Sequence, residues 1–284
     1  MPRILIAEDN DAQREGLRAL LERAGFEVTA APDGAEALEK LRASAFDLLL
    51  VDVWMPRLNG IELLAQLKNE PQKPKVIVMT ADDTPETLLE AVREQAFQYI
   101  SKPYDPKALV EMVKGALNAA EQHPIEVVSA LPTWVELLVP CEQGAGERVH
   151  GFLQKLKVDL PDEVRAGVAK AFRELLSNAI EWGGKLDPEQ KVRICFLHTS
   201  RMILYRITDP GTGFRWEEID HAAVVNPPEH PLQHRRVRQQ KGMRPGGFGI
   251  LVAQQMADDV LYNETGNEAV LVKYLNAQPE TDNE

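Results

Sequence analysis

The sequence has little of what a disulfide scaffold, a membrane protein or a nucleic-acid-binding protein requires. Only two cysteines occur among 284 residues, and Cys141 and Cys195 stand far apart and outside any metal-binding spacing, so we expect free thiols in a reducing cytosol. The lack of a signal-peptide pattern and of an apolar run of about 18 residues predicts a soluble cytoplasmic protein without membrane contact. The net charge of −12, with no helix-turn-helix or zinc pattern, disfavours direct DNA binding.

What the sequence does have is enough length for two domains of ordinary size. The first half alternates short apolar runs with amphipathic segments, which predicts a doubly wound α/β domain: a five-stranded parallel sheet with helices on both faces. Its strands are predicted at 3–7, 26–31, 47–52, 75–80 and 97–101. The predicted division of the chain is a first domain at 1–121, a linker at 122–132, a second domain at 133–276 and a disordered tail at 277–284.

Polar groups directly follow four of these strands. They are Glu8 and Asp9 after the first strand, Asp52 at the end of the third, Thr80 at the end of the fourth and Lys102 after the fifth. The carboxyl ends of parallel strands meet at one edge of the sheet, which is where open α/β sheets bind ligands. Crowded carboxylates are costly unless a cation lies among them, and Mg²⁺ suits oxygen ligands. The sequence therefore predicts a magnesium site at this edge.

The residue types also suggest the chemistry of this site. Four groups are predicted to hold Mg²⁺: the carboxylates of Glu8, Asp9 and Asp52 and the carbonyl of Trp54. A carboxylate can accept a phosphoryl group, so a free oxygen of Asp52 is the predicted acceptor. Lys102 and Thr80 would hold the phosphoryl oxygens as a point charge and a hydroxyl donor.

Residues 1 to about 120 resemble the receiver domain of response regulators. The resemblance rests on the acidic pair Glu8-Asp9, Asp52, Met55-Pro56, Gly60, Thr80, Tyr99 and Lys102-Pro103. It implies that a cognate sensor histidine kinase phosphorylates Asp52, and that Thr80 and the aromatic Tyr99 respond as switch residues. The helix predicted after Pro106 either carries the signal out of the receiver or covers the sheet, and both roles can hold together.

The second half has a different order of elements. That order predicts an α+β two-layer sandwich, an antiparallel sheet with helices on one face. A strand is predicted near 133–139, followed by helices near 142–157 and 162–182. The remaining elements are strands at 191–198 and 202–208, a glycine loop, a long segment rich in Pro, Arg and Gln, a helix near 248–257, and a hairpin with strands at 259–264 and 268–275.

Three groups of residues in the second half indicate a nucleotide site. In chain order they are a helix bearing Glu174 and Asn178, the loop Asp209-Pro210-Gly211-Thr212-Gly213, and the loop Arg244-Pro245-Gly246-Gly247-Phe248-Gly249. Glycines let the backbone pass close to a ligand, and glycines that open a helix form an anion cradle from backbone N–H groups. Each group alone is a weak signal, and the order of all three is a stronger one.

This order resembles the ATP-binding domain shared by gyrase, histidine kinases and mismatch-repair ATPases. The run Glu174-Leu175-Leu176-Ser177-Asn178-Ala179 matches the helix motif of serine kinases that act as anti-sigma factors. The resemblance implies that Asn178 ligates Mg²⁺ and that Asp209 accepts the adenine amino group of ATP. Gly211 and Gly213 would let the backbone approach the base.

The same resemblance assigns the transfer chemistry. Gly247 and Gly249 would receive the phosphates of ATP, and Glu174 would be the general base toward a serine hydroxyl. Phosphoryl transfer in general needs a metal, an oriented nucleophile and charge stabilisation, and these residues could provide them.

The sequence departs from these serine kinases in two places. Trp182-Gly183 stands where they commonly have His-Gly, and Trp182 is interpreted as a core residue in preference to a neighbour of the nucleotide. The long segment containing the basic run 234–241 is the predicted ATP lid. Its basic residues either bind nucleotide phosphates, bind the acidic receiver, or form a solvated loop. No histidine lies in the phosphoacceptor helix that sensor kinases carry, so phosphorylation on histidine is not expected.

We therefore expect a two-component response regulator, phosphorylated on Asp52, that controls an ATP-binding serine/threonine protein kinase output. Its expected partners are a sensor histidine kinase and an anti-sigma-antagonist-type protein or a sigma factor. Coupling would run through a receiver-mediated homodimer or through access to the ATP lid. The alternative is a non-catalytic switch that sequesters a partner in a phosphorylation-dependent way.

Overall fold

The computed structural model describes residues 1–68, 70, 73–81, 84–119, 123–131, 133–153, 160–243 and 246–275. The chain divides into two compact units, Met1–Gln122 and His123–Glu284. The predicted tail at 277–284 and the dipeptide Arg244-Pro245 of the second glycine loop lie outside the described residues. Among the described helices, none combines the length and apolarity that crossing a bilayer requires.

The first unit is a five-stranded parallel sheet in the order β2-β1-β3-β4-β5. Its strands are β1 Arg3–Ala7, β2 Glu27–Ala31, β3 Leu48–Asp52, β4 Lys75–Thr80 and β5 Gln98–Ser101. Its helices are α1 Asp11–Arg23, α2 Gly34–Ala43, α3 Gly60–Leu67, α4 Pro85–Arg93 and α5 Pro106–Asn118. The predicted fold class of this half is confirmed.

The central strand β3 shows why the strands of this sheet appear in the sequence as short apolar runs. All five of its residues are buried, because helices cover both faces. Leu48 and Leu50 pack in a core with α1 and α5, whereas Leu49 and Val51 pack in a second core with α2, α3 and α4. The strand thus ends with Asp52 at a fixed place, since a slip of one residue would exchange the two faces.

The second unit is a six-stranded antiparallel sheet in the order β10-β11-β9-β8-β7-β6. Its strands are β6 Glu126–Leu131, β7 Trp134–Pro140, β8 Lys191–His198, β9 Met202–Thr208, β10 Asp259–Tyr262 and β11 Glu268–Tyr274. Its α-helices are α6 Ala145–Leu153, α7 Asp162–Asn178, α8 Gln233–Gln240 and α9 Gly249–Met256. The predicted α+β sandwich is confirmed.

Helix α7 packs against the sheet with one side and lines the cavity of this unit with the other. Its buried side chains include Phe172, whose ring lies 4.6 Å from the ring of Tyr205 on β9 between centroids. The helix continues into a π turn at Ala179–Gly183. Packing of the apolar stripe against the sheet leaves the polar stripe with Glu174 and Asn178 to face the cavity described below.

Two elements go beyond what the sequence predicts. The predicted connector at 122–132, in which the sequence allows a short strand at 125–128, contains the longer strand β6, which pairs with β7 and extends the sheet. The long segment between the two glycine loops is predicted as the ATP lid with no helix assigned to it, and in the structure it contains α8. Neither has a clear apolar period, because β6 is an edge strand and Val237 is the one aliphatic residue of α8. The domain boundaries drawn from the sequence stay a prediction.

Candidate functional site

The acidic site of the first unit lies at the carboxyl ends of β1 and β3. Glu8 follows β1 and Asp52 ends β3, and both are buried, whereas the neighbouring Asp9 is exposed. Carboxylate oxygens of these three residues lie within 4.8 Å of one another. Three negative charges this close favour a bound cation, and an all-oxygen donor set suits Mg²⁺. The cluster therefore fits a magnesium site.

Lys102 brings a positive charge into this cluster. Its Nζ atom lies 2.7 Å from Oε2 of Glu8 and 2.7 Å from Oδ2 of Asp52. Burial alone would lower the pKa of Lys102, but its hydrogen bonds to Asp52 and Glu8 raise it instead. Burial raises the pKa of Glu8, and this outweighs the contacts with Lys102. Lys102 is therefore held charged between the two carboxylates.

The other predicted receiver residues lie around the same edge. Thr80 ends β4 and is fully buried, and its carbonyl accepts the N–H of Lys102 at 2.7 Å. Trp54 is 58% exposed, and its N–H lies 3.4 Å from Oδ1 of Asp52. Tyr99 is half-buried on β5 against the core on the α2–α4 side. The roles assigned to these residues from the sequence stay predictions.

The loop after Asp52 is held by a close approach at Gly60. The N–H of Gly60 donates to the carbonyl of Val53 at 2.9 Å. A Cβ at Gly60 would collide with the carbonyl oxygen of Asp52, so a larger residue would displace the loop.

An ion pair that the sequence does not predict also holds this loop in place. Arg57, which has a positive φ of 66°, forms an ion pair with buried Asp33, with its Nε 2.8 Å from Oδ2. Asp33 also accepts two backbone N–H groups at the start of α2. Burial alone would raise the pKa of Asp33, but the hydrogen bond from Arg57 and those N–H groups lower it. The two residues are 24 positions apart, and no local pattern links them.

A cavity of about 1100 Å³ opens in the second unit. This volume is slightly above the range of about 300 to 1000 Å³ that is common for ligand cavities, so it offers room for a nucleotide. It is lined by every residue that the sequence assigned to ATP: Glu174, Asn178, Asp209, Gly211, Gly213, Gly247 and Gly249. The structure thus brings together all three groups of the sequence motif, while their individual roles stay predictions.

One end of the cavity lies where α7 meets the start of α9. A Cβ at Gly249 would lie 2.9 Å from Oε2 of Glu174 and 3.2 Å from Nδ2 of Asn178. Only glycine lets the start of α9 come this close to the two polar side chains. The free N–H groups of a helix start attract anions, so this end of the cavity suits phosphate.

The other end of the cavity lies at the π turn Ala179–Gly183, which follows α7. Asp209 follows β9 and packs against Gly183, about 13 Å along the helix from Glu174. Burial raises the pKa of Asp209, although the N–H of Gly211 donates to its Oδ1 at 2.8 Å. A Cβ at Gly211 would lie 2.8 Å from the carbonyl oxygen of Gly183, so the loop needs glycine there.

Trp182 is not a core residue, so the core interpretation is wrong. Its side chain is 54% exposed and lines the cavity, with its ring 6.0 Å from that of His221 between centroids. The reason is the π turn at the end of α7, whose wider turn moves the side chain off the buried stripe. The α-helical geometry of α7 ends at Asn178, four residues before Trp182.

The solvated-loop interpretation of the basic lid also fails for two residues. His234 and Arg238 are buried, whereas Arg235 and Arg236 on the same helix are exposed. Arg238 lines the cavity together with His221. A helical spacing of basic residues was the signal in the sequence, but the absence of apolar periodicity concealed the helix.

Comparisons with known proteins match the two halves of the chain to two different families. A family model described as the response regulator receiver domain matches residues 4–114, and one described as the histidine kinase-like ATPase domain matches residues 144–273. The transcriptional regulatory protein CseB of Streptomyces coelicolor is 36% identical over 115 residues, which are 40% of this chain and 49% of CseB. This chain thus spans about half the length of CseB.

Two further relatives are similar over different extents. The DNA-binding response regulator MtrA of Mycobacterium tuberculosis is 30% identical over 203 residues, 70% of this chain and 86% of MtrA. The solved chemotaxis response regulator CheY4 of Vibrio cholerae is 29% identical, with a TM-score of 0.39, and covers 41% of this chain and 98% of its own. The chain therefore belongs to the response regulators, with a receiver domain followed by a histidine kinase-like ATPase domain.

Proposed function

We propose that phosphorylation of Asp52 controls a Mg·ATP-dependent serine/threonine protein kinase in the second domain. One observation carries this proposal: Glu174 and Asn178 lie together against Gly249 at one end of a cavity that holds Asp209 at the other. A base, a metal ligand and an anion cradle within contact of one another are the parts that phosphoryl transfer needs.

The receiver part of the proposal uses the contact of Lys102 with Asp52. A cognate sensor histidine kinase donates its phosphoryl group to a carboxylate oxygen of Asp52. Glu8, Asp9, Asp52 and the Trp54 carbonyl would hold Mg²⁺, which would supply positive charge next to the phosphoryl group. Lys102 and the hydroxyl of Thr80 then hold phosphoryl oxygens, and the half-buried Tyr99 repacks. A coupling of about 1–3 kcal/mol between the two sites would change output activity roughly 5–150-fold.

In the second domain, one end of the cavity binds the adenine of ATP and the other end binds its phosphates. Asp209 accepts the adenine amino group, with Gly211 and Gly213 giving the base room. Asn178 would hold Mg²⁺, and the backbone at Gly247 and Gly249 would receive the phosphates. Glu174 takes the proton of a serine hydroxyl on an anti-sigma-antagonist-type protein, the serine oxygen bonds to the terminal phosphorus of ATP, and ADP leaves. A homodimer through the receiver, or altered access to the lid, transmits the state of Asp52.

Two rival outputs use the same domains differently. In the first, the second domain captures a sigma factor or similar partner without chemistry, and ATP is dispensable. The second is DNA binding, which the name of MtrA states for that protein. A net charge of −12 opposes contact with a polyanion, and residues 144–273 match the ATPase model.

The test is a transfer assay with purified full-length protein, Mg·ATP and an anti-sigma-antagonist-type protein. Phosphoserine should form, and its rate should change when beryllofluoride occupies Asp52. Glu174→Gln should abolish transfer while ATP still binds, whereas Glu163→Gln on an exposed position of the same helix should be active.

Three experimental outcomes would contradict the kinase proposal. Partner capture that is equal with and without nucleotide supports the binding switch. A salt-dependent gel shift with duplex DNA supports the MtrA-like output. No ATP affinity at millimolar nucleotide eliminates the kinase.

A further inference from the structure

Helix α8 buries one histidine, His234, against the second glycine loop. The residue is fully buried, and its ring packs edge-on against Phe248 with 4.5 Å between the centroids. A Cβ at Gly247, where φ is 92°, would lie 3.2 Å from Cδ2 of the His234 ring. His234 is not among the described residues that line the cavity. It therefore supports the loop without facing the nucleotide site.

The side chain of Asn226 holds His234 in place. The N–H of His234 donates to Oδ1 of Asn226 at 3.0 Å, which fixes the orientation of the amide group. Nδ2 of Asn226 then lies 2.7 Å from the carbonyl oxygen of Pro231 and 2.6 Å from Nδ1 of His234. A side-chain amide nitrogen carries two hydrogens, so it donates to both atoms. We call these contacts between the two side chains the His234–Asn226 latch.

The latch fits only the neutral form of His234. Because Nδ1 of the ring accepts a hydrogen bond from Asn226, the ring proton is on Nε2. A protonated ring would carry a second N–H on Nδ1, and this group would point at the N–H groups of Asn226. Nε2 is buried without a hydrogen-bond partner among the described residues. The site thus offers no acceptor to either N–H of a charged ring, and protonation breaks the latch.

The charges that face His234 also oppose its protonation. Burial lowers the pKa of His234 from its ordinary value near 6.5, and the positive charges of Arg235 and Arg238 on the same helix lower it further. The described residues that contact the ring from other segments are uncharged, namely Asn226, Gly247 and Phe248. The latch is therefore intact at neutral pH, and it weakens as the pH falls below the ordinary value toward the lowered pKa.

The second glycine loop takes its position from the segment that contains the latch. The N–H of Ala223 donates to the carbonyl oxygen of Gly247 at 2.7 Å, and a Cβ at Gly247 would lie 2.6 Å from the carbonyl oxygen of His221. Gly249, two residues further on, begins α9 at the end of the cavity that suits phosphate. A displacement of His234 would therefore move the loop at the phosphate end of the cavity.

We propose that His234 is a positioning residue that makes nucleotide binding depend on pH. The neutral ring, held by Asn226, keeps the second glycine loop in the arrangement that receives phosphates, and protonation of the ring releases the loop. The inference rests on the proposed function in one respect, namely that the cavity binds a nucleotide with its phosphates at this loop. It requires neither catalysis nor a contact between His234 and the nucleotide.

The test measures the affinity of full-length protein for Mg·ATP and adenosine by titration calorimetry between about pH 5.5 and 8. Across this range the wild type should lose about tenfold more affinity for Mg·ATP than His234→Asn, whose amide keeps an acceptor near the Nδ1 position and does not titrate. Comparison of the two proteins cancels the titration of ATP itself. His230→Asn, at an exposed histidine of the same segment, should follow the wild type at every pH.

A second variant separates the hydrogen bond from the packing of the ring. His234→Phe keeps a ring against Phe248 but offers no acceptor to Asn226. It should bind Mg·ATP about 5–10-fold more weakly than the wild type at neutral pH, without the additional loss in acid. Its affinity for adenosine, which has no phosphate to place on the loop, should stay within about twofold of the wild type.

Nitrogen-15 NMR of the histidine rings reports on the latch in the wild type itself. One ring, whose signals His234→Asn removes, should be in the Nε2–H form and should titrate below the ordinary pKa of histidine. An Nδ1–H form overturns the inference, even where a variant fails to fold. A pH profile for Mg·ATP that His234→Asn shares with the wild type, or equal losses of Mg·ATP and adenosine affinity in His234→Phe, also overturns it. A wild type that binds neither Mg·ATP nor adenosine overturns the proposed nucleotide function and this inference together.

Discussion

The Nζ atom of Lys102 lies 2.7 Å from Oδ2 of Asp52, although the two residues are 50 positions apart in the chain. The contact exists because β3 and β5 end at the same edge of the sheet, on either side of β4. A charged lysine already offsets part of the acidic cluster before a divalent cation adds to it. Lysine and metal therefore act on the same carboxylates, and removing one should change the effect of the other.

Lys102→Gln is expected to destabilise the receiver by about 1–3 kcal/mol without divalent cations, because Glu8 and Asp52 lose their charged partner. Mg²⁺ should recover part of this loss and stabilise the variant more than the wild type, since the cluster is then more negative. Hydrogen exchange of the β1 and β3 amides at varied Mg²⁺ concentration measures both effects. Lys107→Gln, at an exposed position, is the control. Equal Mg²⁺ stabilisation of wild type and Lys102→Gln contradicts the shared-carboxylate account.

The Arg57–Asp33 ion pair predicts how the receiver responds to acid. Folding lowers the pKa of Asp33 from its ordinary value near 3.8, so its ionised form stabilises the fold above that value. This contribution is lost as the pH falls through the lowered pKa. Asp33→Asn lacks it at every pH, so the variant and the wild type should differ at neutral pH and converge in strong acid.

Hydrogen exchange or urea unfolding across the acid range checks this convergence. The control is Asp11→Asn, which breaks an ion pair with Arg14 in which the carboxylate is 89% exposed. Solvent screening should make that change small at every pH. Stability curves for Asp33→Asn and wild type that stay parallel down to strong acid would show that Asp33 is not the group that titrates.

We expect Asp209 to lower the stability of the ligand-free protein while it strengthens the binding of adenosine. Because burial raises its pKa, the ionised form costs stability at neutral pH, and this cost is relieved as the pH falls toward the raised pKa. Asp209→Asn should therefore raise the melting temperature of the ligand-free protein. The same change should weaken adenosine binding about tenfold or more, because the charged acceptor for the adenine amino group is lost. Asp162→Asn, exposed at the start of α7, should change neither quantity. A variant that is less stable, or that binds adenosine as well as the wild type, contradicts the assignment.

The features that could be predicted from the sequence are those with a local signal. Asp52 and Thr80 directly end apolar strands, so their shared location followed from the strands alone. The polar stripe of α7 followed from helical spacing, and the glycine loops followed from composition. The fold class of each half was predictable for the same reason, because each strand and helix in the central elements keeps its own period.

The features that escaped prediction depend on contacts between distant segments. The sequence allowed a short strand at 125–128, and the full length of β6 is set by its pairing with β7. Arg57 reaches Asp33 across 24 positions, and Arg238 is buried because α8 packs on the second glycine loop. Trp182 lies outside the core because a π turn at Ala179–Gly183 replaces α-helical geometry after Asn178.

The position of Trp182 makes it a reporter for the cavity. Its indole is 54% exposed and lies among the lining residues, so a bound nucleotide should exclude water from it and change its emission. The chain has four tryptophans, and Trp182→Phe should remove most of the change produced by Mg·ATP. Trp54→Phe removes an exposed indole beside Asp52 instead, so the Mg·ATP response should persist in that variant. Beryllofluoride should give the opposite result, with a response that Trp54→Phe removes and Trp182→Phe retains. An Mg·ATP response that survives in Trp182→Phe and disappears in Trp54→Phe would place the nucleotide at the receiver rather than in the cavity of the second domain.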